Sequence, residues 1–255
     1  MYSRHVASSL LAAGLAASTA QARTVCTVVA DAEGGETLVR QGDCGRRVTP
    51  ASTFKIAISL MGYDSAFLKD AQFPALPFRD GYVDWGGADW RQPTDPTRWM
   101  KYSVVWFSQQ VTQSLGEARF QRYVDEFQYG NKDLSGDPGK HNGLTKAWIN
   151  SSLKISPLEQ LSFLRKVVNR QLPVTSHAFD STSEITRIAL LPNGWDLHGK
   201  TGTGSDGAYD PVQFTPMAGS SDGYQRDLGL MCSRASFRTR RKSRKRPGCE
   251  PAPHS

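Results

Sequence analysis

The pattern of hydrophobic and polar positions places strands near both ends of the chain. Alternation over residues 24–30 and 36–40, with Gly34-Gly35 as the turn, predicts an antiparallel hairpin. A second hairpin is predicted from residues 184–191 and 195–202 around Pro192-Asn193-Gly194. Because helical patterns lie between these strands, the order is typical of an α+β fold whose terminal strands share one antiparallel sheet.

A helical lobe is predicted for the middle of the chain. Residues 54–61 are apolar on nearly every face, which predicts a central buried helix that Thr49 caps, with Pro50 in its first turn. Residues 103–115 predict a helix that ends at Gly116 and is followed by a second one.

Two other segments give clear local signals. Residues 73–99 are rich in Pro, Gly, Asp and Trp and predict a long ordered loop. Ser156-Pro157-Leu158-Glu159 predicts a capping box at the start of a helix whose inward face carries leucines.

The first 22 residues have the composition of a secretory signal. Arg4 and His5 give a positive start, residues 6–17 an apolar centre, and Ala20-Gln21-Ala22 a small-residue cleavage site. An ordinary buried helix is the competing interpretation. We expect a signal peptide over residues 1–22 and a mature protein, periplasmic or secreted, that starts near Arg23. No later run reaches the roughly 18 apolar residues of a membrane span.

The net charge of +7 raises the question of a nucleic-acid partner. Residues 217–255 hold nine Lys and Arg against three Asp and Glu, which leaves 22 basic and 21 acidic residues over 1–216. The body of the chain is therefore nearly neutral, and its charge predicts neither nucleic-acid binding nor attachment to a membrane surface.

Two cysteines fall within the predicted N-terminal hairpin. Cys26 and Cys44 are each nine residues from Gly35, so a register centred there brings them opposite one another. In an oxidising compartment this favours a disulfide over two free thiols. The spacing gives no support to a metal site.

The pair Ser52 and Lys55 carries the first chemical signal. A spacing of three places both side chains on one face of a helix, and the first turn offers unpaired backbone N–H groups that can stabilise an oxyanion. Lysine serves as a base near neutrality only if desolvation or chemical modification changes it. Alone, the motif is weak, and a capped helix with a surface lysine is the favoured interpretation.

Three companion motifs follow in order: Ser103-Val104-Val105, Tyr129-Gly130-Asn131 and Lys200-Thr201-Gly202. Together with residues 148–153 they resemble the class D serine β-lactamases of the penicillin-binding superfamily, over residues 24–210. The related class A pattern expects a Ser-Asp-Asn motif, which the sequence lacks.

The resemblance implies a hydrolase that opens β-lactams by acylating Ser52. Lys55 would be a carbamate formed with CO₂, acting as general base, and the Trp148 indole would donate to it. Neither a metal nor an organic cofactor is implied. The expected partners are small β-lactams, and the oligomeric state stays open.

The remaining roles also come from the resemblance. Ser103 would relay a proton to the departing nitrogen, and Lys200 would keep that environment positive. Substrate contacts are expected from Thr201, Gly202, Thr203 and Val105, with the N–H groups of Ser52 and Thr203 as the oxyanion hole. Tyr129 and Asn131 would support the adjoining loop.

The resemblance fails after the Lys-Thr-Gly motif, where the family has two more strands and a final helix. We expect a catalytic domain over residues 23–216 and a basic, poorly ordered tail over 217–255 in which those strands are lost and Cys232 and Cys249 have no designed partner. A natural nucleic-acid-binding tail is one explanation.

A change of reading frame is the explanation we favour. Residues 217–223 can be encoded so that the frame one base earlier gives Tyr/His-Gly-Trp-Phe-Val-Gly-Trp. In the same frame, residues 231–240 can give Val-Phe-Ala-Arg-Leu-Ile-Gln-Asp-Glu. Both products are strand-like.

Two rival functions share these residues. A penicillin-binding sensor or transpeptidase would retain the acyl group or pass it to an amine. A catalytically inactive homologue with a basic tail would bind nucleic acid in a salt-dependent manner and leave Ser52 unlabelled.

Overall fold

The structure is a computed structural model that describes residues 23–192, 194, 196–205, 211–220 and 230–237, the last two ranges as backbone. The strands in chain order are β1 (Arg23–Asp31), β2 (Thr37–Gly42), β3 (Arg187–Leu190), β4 (Asp196–Gly199), β5 (Gly202–Ser205), β6 (Pro211–Ser220) and β7 (Leu230–Phe237). The helices are α1 (Lys55–Asp64), α2 (Pro96–Tyr102), α3 (Val105–Glu126), α4 (Gly143–Lys146), α5 (Pro157–Val168) and α6 (Ser176–Thr186). The predicted signal peptide lies outside the described residues.

One antiparallel sheet joins the two ends of the chain. Its order is β2-β1-β7-β6-β4-β3, and β5 pairs with the first half of β6. The predicted α+β class, with N- and C-terminal strands in one sheet and a helical lobe between them, is confirmed.

The predicted loss of the two strands that follow the Lys-Thr-Gly motif is wrong for the described residues. The β6 strand continues through the predicted boundary after residue 216 and pairs with β4, β5 and β7. Pairing of this kind uses backbone N–H and C=O groups, so a change in side-chain pattern does not by itself abolish a strand. The rest of the predicted tail, including Cys249, lies outside the described residues.

The N-terminal hairpin forms as predicted but in a different register. Cys26 lies opposite Gly42 rather than Cys44, and the register changes by one further residue between Val29 and Ala30. Cys44 is two residues from Gly42, so both cysteines keep to one face of the hairpin. The structure joins Cys26 and Cys44 by a disulfide with Cα atoms 5.0 Å apart.

The helical lobe is built around α1, which is buried over nearly its whole length. A 3₁₀ turn (Ala51–Phe54) leads into it, and α3 and α6 pack against it. Gly116 breaks the helical path of α3 with a φ of 71°, as the sequence predicts. The capping box of Ser156 and Glu159 at the start of α5 is confirmed.

Three predicted boundaries differ from the structure. Residues 184–186 belong to α6 rather than to a strand, and α2 begins inside the predicted loop because Asp95 accepts from the N–H of Arg98. The predicted cap is also wrong, since the Thr49 hydroxyl donates to the carbonyl of Trp148 instead of capping the helix. No helix among the described residues is long and apolar enough to cross a bilayer.

Candidate active site

Ser52 and Lys55 meet at the start of the central helix. The 3₁₀ turn places them on one face, and Lys55 Nζ donates to Ser52 Oγ over 3.1 Å. Ser52 is half-buried, whereas Lys55 is fully buried. A hydroxyl in contact with an enclosed amine is the arrangement expected of an activated nucleophile.

The surroundings of Lys55 favour its neutral form. Burial lowers its pKa well below the ordinary value, and the positive charge of Lys200 lowers it further. A neutral amine has a lone pair free to accept a proton or to add to an electrophile. The pattern of a perturbed amine beside a hydroxyl marks this turn as a candidate reactive centre.

Lys200 lies at the entrance to β5, the strand nearest to Ser52. Its side chain is 7% exposed and donates to the carbonyl of Thr201 over 2.8 Å. Burial lowers the pKa of Lys200 to about 8. The site therefore holds two enclosed lysines, of which Lys200 keeps its charge over most of the neutral range.

Gly202 is where β5 approaches the Ser52 turn. A methyl group on Gly202 would lie 2.8 Å from the carbonyl oxygen of Pro50 and 3.0 Å from the Ser52 nitrogen. The absence of a side chain thus lets the strand come alongside the backbone N–H that was assigned to the oxyanion hole. Thr201 and Thr203, on either side, are exposed.

Ser103 ends α2 instead of beginning the next helix. Its φ of 61° and ψ of 35° are left-handed, a conformation that residues other than glycine rarely adopt and that is common at functional sites. Val105 begins α3 and is only 5% exposed, so nearly all of its side chain packs in the core and little is left for a substrate.

Trp148 is a buried aromatic with an unused donor. Its side chain is fully enclosed, its ring centroid lies 5.8 Å from that of Phe54 and 6.2 Å from that of Phe120, and its indole N–H has no acceptor among the described residues. Buried N–H groups nearly always have a partner. The indole therefore indicates an acceptor that the described residues do not supply.

The loop that carries Trp148 is tied to the start of the central helix. The Trp148 carbonyl accepts from the Thr49 hydroxyl and from the N–H of Ala51, both over 3.0 Å. In turn the Thr49 hydroxyl accepts from the N–H of Asn150. Sequence reasoning missed this role, since the partners of Thr49 lie about a hundred residues away.

Tyr129 and Asn131 hold neighbouring segments in place. The Tyr129 hydroxyl donates to Gln160 over 2.9 Å, and burial raises the pKa of this tyrosine. Asn131 donates from Nδ2 to the carbonyl of Ser152 and accepts from the N–H of Lys154, both over 2.8 Å. These contacts agree with a supporting role and give neither residue a proton-transfer partner at Ser52.

The chain is similar to known proteins in both sequence and structure. The sequence profile of the penicillin binding protein transpeptidase domain matches residues 25–213. Beta-lactamase OXA-9 of Klebsiella pneumoniae is 45% identical over 179 residues, which are 70% of this chain and 65% of that protein. The chain thus spans about two thirds of the length of this relative.

A solved structure and a regulatory protein extend the comparison. The crystal structure of the class D β-lactamase OXA-427 superposes with a TM-score of 0.78 at 45% identity, covering 88% of this chain and 90% of that one. Regulatory protein BlaR1 of Bacillus licheniformis is 28% identical over 172 residues, 66% of this chain and 26% of that protein.

Proposed function

The chain belongs to the penicillin-binding protein transpeptidase family and, within it, to the class D serine β-lactamases, and on that premise we propose that it hydrolyses β-lactams through an acyl-enzyme on Ser52. The observation that carries the proposal is the 3.1 Å contact between Ser52 Oγ and a buried Lys55 whose pKa is lowered. Relatives with β-lactamase names support the substrate class.

In the acylation step, Ser52 Oγ forms a bond to the lactam carbonyl carbon while the carbon–nitrogen bond of the ring breaks. The proton leaves Ser52 toward the Lys55 side chain, and the departing nitrogen receives one through Ser103. The N–H groups of Ser52 and Thr203 stabilise the oxyanion. In deacylation a water molecule gives a proton to the Lys55 side chain and attacks the acyl carbon, the bond from that carbon to Ser52 Oγ breaks, and the proton returns to Ser52.

We further propose that Lys55 is carbamylated. Two features fit this group: the amine is held in the neutral form that reacts with CO₂, and the buried Trp148 N–H lacks an acceptor among the described residues. The modification supplies an anionic oxygen base in place of the amine, with Trp148 to hold it. Loading with ¹³C-bicarbonate should give a carbamate carbon signal by NMR that is absent from Lys55→Met.

Weakening of that signal in Trp148→Phe would support the assigned donor. Phenylalanine keeps the ring in the aromatic cluster but removes the N–H, so the fold is expected to persist. An equally strong, equally stable carbamate in Trp148→Phe would contradict this part of the proposal.

Labelling by a penicillin tests the nucleophile directly. Intact-mass measurement and peptide mapping of folded protein incubated with benzylpenicillin should locate one adduct on Ser52, and Ser52→Ala should carry none. An adduct on another residue, or none on folded protein, would overturn the assignment.

A penicillin sensor is the second candidate, because the similarity to BlaR1 covers 66% of the chain. Both functions acylate Ser52 and differ in how long the acyl group stays. Release of the adduct within seconds to minutes supports the hydrolase, whereas an adduct that persists for hours supports the sensor.

Export is proposed on the strength of the disulfide. A bond between Cys26 and Cys44 is stable in oxidising compartments, and the N-terminal residues have signal-peptide composition. Expression in a Gram-negative host should give a periplasmic protein whose first residue lies near Arg23. Recovery from the cytoplasm with Met1 intact would contradict export.

A further inference from the structure

A glutamine side chain lies fully enclosed in the protein core. Gln160, on α5, is 0% exposed, and its Oε1 accepts from the Tyr129 hydroxyl over 2.9 Å. Its Nε2 has no acceptor among the described residues. Burying an amide that uses only part of its hydrogen-bonding capacity lowers stability, and a leucine would fill the same space without that penalty. The presence of a polar side chain at this position therefore needs a reason other than folding.

Tyr129 connects this glutamine to the turn that carries Ser52. The Tyr129 ring centroid lies 4.8 Å from that of Phe54, the last residue of the 3₁₀ turn. Burial raises the pKa of Tyr129, and a side-chain hydrogen bond with Thr53 opposes that rise. The phenol thus contacts both Gln160 and the two residues that follow Ser52.

Thr53 also lies against β5, the strand nearest to Ser52. A methyl group on Gly202 would be 3.0 Å from Thr53 Cγ2, so the threonine side chain fills the space beside the strand. The Thr53 hydroxyl donates to the carbonyl of Pro50 over 2.7 Å. A displacement of Tyr129 would therefore reach both the Ser52 backbone and its spacing from β5.

The helix that carries Gln160 is fixed to the sheet. α5 packs against β1, β6 and β7, and its first turn is held by the capping box that ends at Glu159. Because Gln160 follows directly after that box, its side chain gives Tyr129 a fixed point of attachment.

We propose that Gln160 is a positioning residue for acylation, which holds the Ser52 turn at its distance from β5 through Tyr129 and Thr53. The inference rests on the proposed function, because it takes Ser52 to be the nucleophile and the N–H groups of Ser52 and Thr203 to stabilise the oxyanion. Gln160 is enclosed in the core, so it acts through its neighbours and not by touching a substrate.

A paired substitution separates positioning from folding. Tyr129→Phe together with Gln160→Leu removes both polar partners and nearly keeps the volume, so the midpoint of urea unfolding should stay the same or rise. The rate constant of acylation at saturating benzylpenicillin should nevertheless fall about ten- to a hundredfold, because the oxyanion donors are misplaced. Affinity for the intact penicillin, measured in a Ser52→Ala background, should change less than twofold, since the lost interaction belongs to the transition state.

Tyr63 provides the matched control. It is also a buried tyrosine, its hydroxyl donates to the carbonyl of Asp70 over 3.3 Å, and it lies at the opposite end of α1 from Ser52. Tyr63→Phe should leave the acylation rate within twofold of the wild type. A wild-type rate in the paired variant would overturn the proposal, as would slow acylation accompanied by a lower unfolding midpoint or by an equal fall in Tyr63→Phe.

Backbone amide resonances distinguish failure of this proposal from failure of the proposed function. The ¹H–¹⁵N peaks of Ser52 and Thr203 should shift in the paired variant and stay in place in Tyr63→Phe. If wild-type Ser52 is not acylated while these peaks shift, the hydrolase assignment falls and the positioning role stands. If the wild type is acylated and the paired variant changes neither peaks nor rate, only the positioning role falls.

Discussion

The two buried lysines, Lys55 and Lys200, destabilise the fold while giving the candidate site amines with lowered pKa values. Lys55 is fully enclosed and Lys200 nearly so, and each has a lowered pKa. Enclosing an amine removes the water that stabilises its ammonium form, and the two positive charges disfavour each other. Burying these two amines therefore lowers the free energy of unfolding of the protein.

Replacing Lys55 by methionine should stabilise the fold and abolish acylation. Methionine matches the length of the lysine stem without an amine to desolvate, so in CO₂-depleted buffer, which leaves Lys55 as the free amine, the free energy of unfolding should rise by about 0.5–2 kcal/mol at pH 7. The unfolded lysine is protonated up to a pKa of about 10.4, so the folded wild type recovers stability as the pH rises toward that value.

The gain from Lys55→Met should accordingly shrink between neutral pH and pH 10. Urea unfolding at several pH values measures it, with Lys69→Met as a control for loss of a surface lysine. A Lys55→Met variant that is less stable than the wild type at pH 7 would show that burial of the Lys55 amine does not destabilise the fold.

Substrate turnover should fall above about pH 8, where Lys200 loses its proton. Its pKa of about 8 means that the charge is present below that pH and lost above it. We expect kcat/KM for benzylpenicillin to drop about tenfold per pH unit on the alkaline side. Lys200→Arg should move the drop to higher pH because a guanidinium stays charged. A flat wild-type profile to pH 10 would show that this charge is not needed.

For single residues, contacts between neighbours in the sequence could be predicted, whereas contacts between distant residues could not. Ser52 and Lys55 are three residues apart in a helix, so their contact follows from spacing alone. The role of Thr49 depends on partners at 148 and 150, which no local pattern reveals. Val105 was assigned to the substrate from the resemblance, yet its side chain is turned into the core.

At the scale of elements, the decisive contact is that of β5 with the turn before α1. Strand and turn lie close enough that glycine is required at position 202, where the nearest atoms belong to the backbone and cannot rotate away. The distance between the two proposed oxyanion donors, the N–H groups of Ser52 and Thr203, is thus set by the packing of two elements rather than by either one.

Gly202→Ala should slow acylation strongly while the protein still folds. Its methyl group would meet the Pro50 carbonyl at 2.8 Å, so β5 must move away from Ser52. A misplacement of this kind costs on the order of a hundredfold in rate. Gly45→Ala is the matched control, because a methyl group there meets nothing within 4 Å.

The measurement is the second-order rate of labelling by a fluorescent penicillin, with circular dichroism to confirm that both variants fold. Equal labelling of Gly202→Ala and Gly45→Ala would mean that the strand does not set the geometry.

Elements with strong local signals were predicted, and elements decided by distant contacts were not. The N-terminal hairpin, the Gly116 break and the capping box all follow from nearby residues. The start of α2 also had a local signal, Asp95 before Pro96, which the loop-like composition around it concealed. The β6 and β7 strands were not predicted, because the side-chain pattern there departs from that of the family, whereas the pairing of β6 with β4, β5 and β7 and of β7 with the distant β1 uses the backbone.

At the scale of the whole molecule, β6 and β7 connect the N-terminal strands of the sheet to its other strands. In the part of the chain that the structure describes, the N-terminal pair β1 and β2 reaches the strands beside Ser52 through β7 and then β6. These connecting strands come from the segment whose sequence departs from the family pattern and whose last 39 residues hold nine Lys and Arg.

A chain restored to the alternative reading frame should hydrolyse β-lactams faster than the chain as written. Apolar strands would cover the sheet face that a charged segment covers poorly. Nitrocefin hydrolysis per milligram of soluble protein measures the difference, with Ser52→Ala of the restored chain as the blank. Equal rates for the two chains would refute the frame-change hypothesis.

The pairing of the first described strand with the last has a consequence for how the protein reaches its native state. On the proposed export route, β1 emerges early and can form its hairpin and disulfide with β2 at once, but its other edge must wait for some two hundred residues to follow. Contacts this distant along the chain form slowly, and an unpaired strand edge invites pairing with other chains. The Cys26–Cys44 bond would hold the early hairpin ready through that interval, so its main benefit is expected in yield rather than in catalysis.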